Sequence, residues 1–134
     1  MIGNQLLMAG STAAGKVLVV YTYPGVASPY TSPGFTAAPN CITYNGKVTV
    51  MGFADGTMMY SNTPTAVGTV PTFTASPTTG IFTACNAVAW NGLLWVAVGS
   101  GTNSIATSTN GITWIGQGTS TVGNGVLVTG NTIA

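Results

Sequence analysis

The amino-acid sequence predicts an all-β, antiparallel fold, and three observations predict it. Short apolar runs with a period of two are separated by Asn-Gly, Asp-Gly and Pro-Gly turn pairs. No stretch carries a 3.6-residue apolar period with caps at both ends, so no helix is expected. A pattern of Asn, apolar strand, Gly and second strand returns along the chain. The expected architecture is therefore an antiparallel meander of three to four blade-like repeats. With 134 residues the chain is one domain, and its 46% hydrophobic content is enough to fill a core. The repeat units fall at about 1–40, 41–84 and 85–120, with a partial copy over 121–134.

In chain order, Asn4 leads into an apolar strand over 5–9 that stops at Gly10. Small residues over 11–15 form a turn into a strand over 16–23, which Pro24-Gly25 ends. Residues 26–40 contain Pro29, Pro33 and Pro39 and read as an irregular connection with one short edge strand around Tyr30-Thr31. The second unit opens over 41–44, turns at Asn45-Gly46 into 47–51, and ends at Gly52. Asp55-Gly56 turns into a strand over 57–61, and a looser link follows with a short strand over 72–74. After the third unit, a polar link over 116–121 leads to a strand over 126–129 that ends at Gly130. On this pattern the chain begins and ends inside a repeat, as closed propellers often do when one blade is split between the termini. Propellers usually have four or more blades. Open stacking, closure by other chains, and a sandwich or prism all remain compatible with the sequence.

The third unit, Cys85 to Trp114, carries the densest strand pattern. Asn91-Gly92 is expected to close a two-residue type I′ hairpin, because both residue types tolerate positive φ. That turn pairs Trp90 with Leu93, Ala89 with Leu94 and Val88 with Trp95. Val88, Trp90, Leu93, Trp95 and Ala97 then share one face, and Ala87, Ala89, Leu94, Val96 and Val98 share the other. Both faces are apolar, so both need cover. A second hairpin is expected from 104–108 through Asn110-Gly111 into 112–114.

Ser108-Thr109-Asn110-Gly111-Ile112-Thr113-Trp114 resembles the Asp-box, the S-x-D-x-G-x-T-W hairpin of sialidase-type β-propellers. Asn110 stands in the place of Asp, and there is one residue fewer before Gly111. In that family the hairpin is a structural device whose aromatic packs the blade. The surrounding wording, from Ala87 to Trp114, is similar to repeats in virion and tail-associated proteins of tailed phages and other large DNA viruses. The opening MIGNQLLMAG is similar to the start of phage virion proteins. The resemblance implies a virion location, with other virion proteins as partners. For a decoration or fibre protein it also implies a homo-oligomer, a trimer or a multiple of one.

Charge is nearly absent. Lys16, Lys47 and Asp55 are the only formally charged side chains, where ordinary domains carry roughly a quarter. Two isolated lysines make no nucleic-acid footprint. The longest apolar runs fall far below the roughly 20 residues of a spanning helix, and residues 6–9 are too short for a signal-peptide core. No membrane or nucleic-acid partner is therefore expected.

The same composition argues against an enzyme. There is no His, Arg or Glu and only one Asp. Paired carboxylates and Ser-His-Asp or Cys-His arrangements are thus outside what one chain can build. Sialidase chemistry needs an arginine cluster with Glu and Tyr, so the Asp-box resemblance does not carry it. No cofactor or metal site is expected. Residues 10–16 match GxxxxGK, but Val17 stands where a phosphate loop needs Ser or Thr, and a strand-like run follows.

Cys41 and Cys85 lie at equivalent points of two repeats. They are expected to be separate, buried, reduced thiols, because adjacent sheets often hold such points too far apart to bridge. Trp90, Trp95 and Trp114 read primarily as blade core. Tyr23 and Tyr30 flank Pro-rich loops and, with Trp114, are the candidate ligand or subunit contacts.

Two functional expectations follow. The first is a non-enzymatic viral structural protein (a capsid decoration, tail or fibre component) acting by self-association. The second is a carbohydrate-binding receptor-recognition module that meets a host-surface glycan through the aromatics. Threonine-rich strands also raise an ice-binding reading, but no sustained TxT ladder supports it.

Overall fold

The computed structural model is all-β and antiparallel, with no helix among the described residues. It describes 35–62, 72–119 and 130–133 with their side chains, and 6–13, 16–23, 26–32, 121–122 and 125–126 as strand backbone. Three strands, β1 (Leu6–Ala13), β2 (Lys16–Tyr23) and β3 (Val26–Ser32), form the first sheet in the order β1-β2-β3. The second sheet takes β4 (Pro39–Tyr44), β5 (Thr49–Phe53), β6 (Met58–Ser61) and β7 (Thr74–Ala75) in chain order. The third repeats that meander with β8 (Ala84–Trp90), β9 (Trp95–Ser100), β10 (Ile105–Ser108) and β11 (Ile115–Gly116). A two-stranded ribbon follows, β12 (Thr121–Val122) with β13 (Gly125–Val126).

The first sheet differs from the expectation. β1 runs through Gly10 to Ala13, and Ser11 still pairs with Val17. Residues 26–32 are a full strand, in register with β2 from Tyr23↔Val26 to Val17↔Ser32. Pro29 fits there because β3 ends its sheet, and an edge strand can leave one side without an N–H donor. The later expected strand over 126–129 is described only as far as Val126, and 127–129 lie outside the described residues. The link over 116–121 contains the last residue of β11 and the first of β12.

The Asn-Gly turns sit where the sequence places them, but with a different register. Trp90 pairs with Trp95, Ala89 with Val96 and Val88 with Ala97. The loop has four residues, closed by Asn91 N–H donating to the Leu94 carbonyl at 3.2 Å. Among the described residues only glycines have positive φ, with Gly92 at 96°, which excludes type I′ at Asn91-Gly92. Asn91 Oδ1 decides the shape by accepting from the Leu93 N–H at 2.9 Å and the Leu94 N–H at 2.7 Å. The second sheet uses the same loop: Tyr44 pairs with Thr49, and Asn45 Oδ1 accepts from Lys47 and Val48 N–H. A two-residue turn would have left these loop amides without the acceptor that the Asn side chain supplies.

Leu93 consequently leaves the core face and stands 82% exposed at the loop. Val88, Trp95 and Ala97 remain buried, with Trp90 packed against Trp95 at a centroid distance of 5.2 Å. On the opposite face Val98 is buried, while Ala87, Ala89 and Val96 are half-buried. The hairpin beyond β10 also shifts. Residues 112–114 form a loop, and the pairing strand is β11, with Thr107↔Ile115 and Ala106↔Gly116.

The second sheet lies between two apolar clusters. Alternation along β5 sends Val50 to one side and Met51 and Phe53 to the other; β6 does the same with Met58 and Met59. Met51 and Phe53 meet Phe35, Ile42, Met59 and Phe73. On the other side, Val50 and Met58 meet Cys85, Val88, Trp95 and Trp114 of the third sheet. A bulge at Asn86, between the Cys85↔Gly99 and Ala87↔Val98 pairs, lets Cys85 join Val88 on that core face despite their odd spacing.

Two variants test the loop geometry. Gly92 has no neighbour within 4 Å of a built Cβ, so a side chain there meets strain without collision. Gly92→Val should lose about 1–3 kcal/mol in urea unfolding, the range for a β-branched residue held at positive φ. Asn91→Ala, which removes the acceptor for two amides, should lose about 1 kcal/mol in the same assay. Wild-type midpoints for both would contradict the four-residue loop.

Candidate functional site

The most built region of the molecule is the seam between the second and third sheets. Its ties run from side chains of one sheet to backbone of the next. Asn40 Nδ2 donates to the Cys85 carbonyl at 3.0 Å, and Thr43 Oγ1 donates to the Val88 carbonyl at 2.5 Å. The chain beyond β7 adds two more. Ser76 Oγ donates to the Ile112 carbonyl at 2.6 Å, and Trp114 N–H donates to Thr78 Oγ1 at 3.0 Å. One tie recurs a repeat later, where Asn86 Nδ2 donates to the Gly130 carbonyl at 2.8 Å. Strand pairing cannot satisfy carbonyls that face a neighbouring sheet, so side-chain donors do so.

The loop after β10 is organised by Ser108 and Asn110. Ser108 Oγ accepts from the N–H of Gly111 at 2.8 Å and donates to Asn110 Oδ1 at 3.0 Å. Asn110 Oδ1 accepts from the N–H of Ile112 at 2.8 Å and of Thr113 at 2.9 Å. This set closes the loop and delivers Trp114, 4% exposed, into the shared core. Its Nε1 is buried with no hydrogen-bond partner among the described residues.

Cys41 and Cys85 meet at the centre of the seam. They are free thiols, as expected, but they are not separate. Cys41 pairs with Gly52 across β4 and β5, and Gly52 has no side chain to fill the space above it. A Cβ built on Gly52 would collide with the Cys85 sulfur and stand 2.9 Å from the Cys41 sulfur. The two sulfurs therefore share that space. Cys41 Sγ donates to the Gly52 carbonyl at 4.0 Å. The Cys85 thiol beside it lowers the Cys41 pKa from the usual thiol value, against the opposing effect of burial. The Cys41 neighbour and burial both push Cys85 up. Cys85 is fully buried, while Cys41 is half-buried, so the more acidic thiol is also the more accessible one.

The other sequence candidates fall elsewhere. Tyr23 and Tyr30 belong to paired strands of the first sheet, in register with Val26 and Val19, and not to irregular loops. Trp114 belongs to the core beside the third sheet, and the side chains of Tyr23 and Tyr30 lie outside the described residues. The cysteine pair and its Asn and Thr supports escaped the sequence reading. The signal available was that each Cys lies beside an Asn, at 40 and 86, and opposite a glycine that closes the next strand. Among the described residues no cluster of three or more His, Cys, Asp or Glu is present, and no helix is long and apolar enough to cross a membrane. No protein-family model matches the chain, and no curated protein or solved structure shows significant similarity to it.

Two outcomes check the seam. Gly52→Ala must displace the buried Cys85 side chain and should lose about 1–3 kcal/mol, as overpacking does; Asn40→Ala should lose about 1 kcal/mol. Equal urea midpoints for the two variants and the wild type would refute the close approach. Iodoacetamide should alkylate Cys41 before Cys85 in the folded protein. Because the thiolate reacts and the Cys41 pKa is lowered, its rate should rise with pH through a midpoint below that of a free thiol. Peptide mapping after timed quenching reads both the order and the midpoint.

Proposed function

We propose that the protein is a non-enzymatic structural component of a virus particle, such as a capsid decoration, tail or fibre protein, acting by self-association and by packing on a partner shell. The observation that carries this reading is apolar surface left in solvent by a chain with almost no charge. Leu93 is 82% exposed at the β8–β9 loop, and Ile115 is 68% exposed on β11, which ends its sheet. Native edges are usually guarded by Lys, Glu or Pro, and the three charged residues of this chain lie elsewhere. Covering apolar area favours association by about 25 cal/mol per Å², and a net charge of +1 opposes it little.

The side-chain ties support a structural role as well. Asn40, Thr43, Ser76 and Thr78 each spend a side-chain hydrogen bond on joining one sheet to the next. Serial stacking in a propeller-like arc is the architecture we favour over a sandwich or prism, because the first strands β1, β4 and β8 run as successive neighbours. The virion location and a trimeric state follow from the phage resemblance. The rival reading, a carbohydrate-binding receptor-recognition module, would rest on Tyr23 and Tyr30, since Trp114 is in the core.

Analytical ultracentrifugation at micromolar concentration tests the proposal. A homo-oligomer is expected, weakened only slightly by salt and dissociated by Leu93→Lys with Ile115→Lys. A monomer of 13.4 kDa without affinity for virions would overturn it. Reproducible binding on a glycan array, lost in Tyr30→Ala with the fold intact, would favour the rival.

A further inference from the structure

We propose that Cys41 and Cys85 are a modification site, a dithiol that a low-molecular-weight disulfide converts into an intramolecular disulfide stapling the second sheet to the third. Three observations place the two sulfurs for this. Gly52 leaves a space that both sulfurs occupy, the nearer one closer than any Cβ there would allow. The Asn40 bond to the Cys85 carbonyl and the Thr43 bond to the Val88 carbonyl hold β4 against β8 on either side of the pair. The bulge at Asn86 turns Cys85 onto the face that meets β4. Without that bulge, strand alternation would direct Cys85 to the opposite face from Val88.

Burial sets the order of events. Cys41 is the half-buried member and Cys85 the fully buried one. The Cys41 thiolate attacks one sulfur of the external disulfide, forming a mixed disulfide and expelling one thiolate, which takes up the proton that Cys41 lost. Cys85 then loses its proton and attacks the Cys41 sulfur. The internal S–S bond forms, the mixed S–S bond breaks, and the second external thiol leaves with the Cys85 proton. The protein loses two electrons and two protons, and the external disulfide is reduced to two thiols. The neighbouring Cys85 thiol favours the Cys41 thiolate, and Cys41 is the more exposed of the two, which suits it to the first attack. The product closes a loop that begins in one repeat and ends in the next, so it restricts the unfolded chain and ties the two sheets together covalently.

The experiment is titration of the reduced full-length chain with oxidised glutathione, read by intact mass and peptide mapping. The expected product has lost two hydrogens, carries no glutathione, and yields a linked peptide pair containing Cys41 and Cys85. It should melt at a higher temperature than the reduced protein, and dithiothreitol should reverse both changes. Cys85→Ser should stop at a stable mixed disulfide on Cys41, with the mass of one added glutathionyl group. Cys41→Ser should leave the buried Cys85 unmodified while the protein is folded. Glutathione retained on the wild type, disulfide-linked dimers in place of the internal bond, or two thiols that stay free at excess oxidant would each overturn the proposal. So would modification of Cys85 in folded Cys41→Ser, because it would reverse the order on which the step depends.

Discussion

The close approach of the second and third sheets at Gly52 is the constraint on which the rest of the structure depends. The glycine leaves room for two sulfurs, and the two strands carrying them can then come near enough for Asn40 and Thr43 to reach carbonyls of the next sheet. With the strands at that distance, Val50 and Met58 meet Val88, Trp95 and Trp114 in one shared cluster. A core assembled between sheets in this way belongs to neither sheet alone. The second sheet has apolar side chains on both faces, and the third sheet covers one of them.

Cooperation between repeats has a cost in polar groups, which this chain meets with short side chains. Asn, Ser and Thr fill the places that Lys, Glu and Arg fill in ordinary domains. They cap the loops at Asn45 and Asn91, build the loop from Ser108 to Trp114, and cross the seam. Short donors fix geometry tightly, because they have few rotamers to lose. They also leave little long, mobile charge on the surface, which is why apolar positions such as Leu93 and Ile115 stand in solvent without nearby guards.

Much of the fold was legible because turn chemistry and alternation are local. The first three strands of each four-stranded meander and the Asp55-Gly56 turn appear where glycine and period-two patterns put them, while the last strands, β7 and β11, lie further along the chain than expected. The misses share a cause, in that they depend on bonds or neighbours that a pattern does not contain. The register at Asn91 is set by one side-chain oxygen holding two amides, which an Asn-Gly pair alone does not reveal. β3 was hidden by its proline, which an edge position tolerates. The cysteine pair was hidden by a single bulged residue that reverses which face Cys85 presents. The burial of Trp95 and Trp114 was readable from the sequence. The bonds that Ser76 and Thr78 make to the Trp114 loop, from more than thirty positions earlier, were not.

The capped Asn-Gly loops have a consequence for how the protein ages. Asparagine followed by glycine is the peptide context in which the side-chain amide is most readily lost as ammonia, through a cyclic imide formed by the next backbone nitrogen. Amide loss of this kind is one of the thermolabile features that heat-adapted proteins reduce. Asn45, Asn91, Asn110 and Asn124 all sit in that context, and the first three are held by hydrogen bonds to backbone amides further along their loops. Those bonds hold each of these side chains in one orientation, which narrows the conformations from which the ring can close. Where a loop opens, one carboxylate appears in a chain whose formal net charge is only +1, and two such events reverse its sign. In a protein this neutral, the chemical history of four asparagines would be written directly into its isoelectric point.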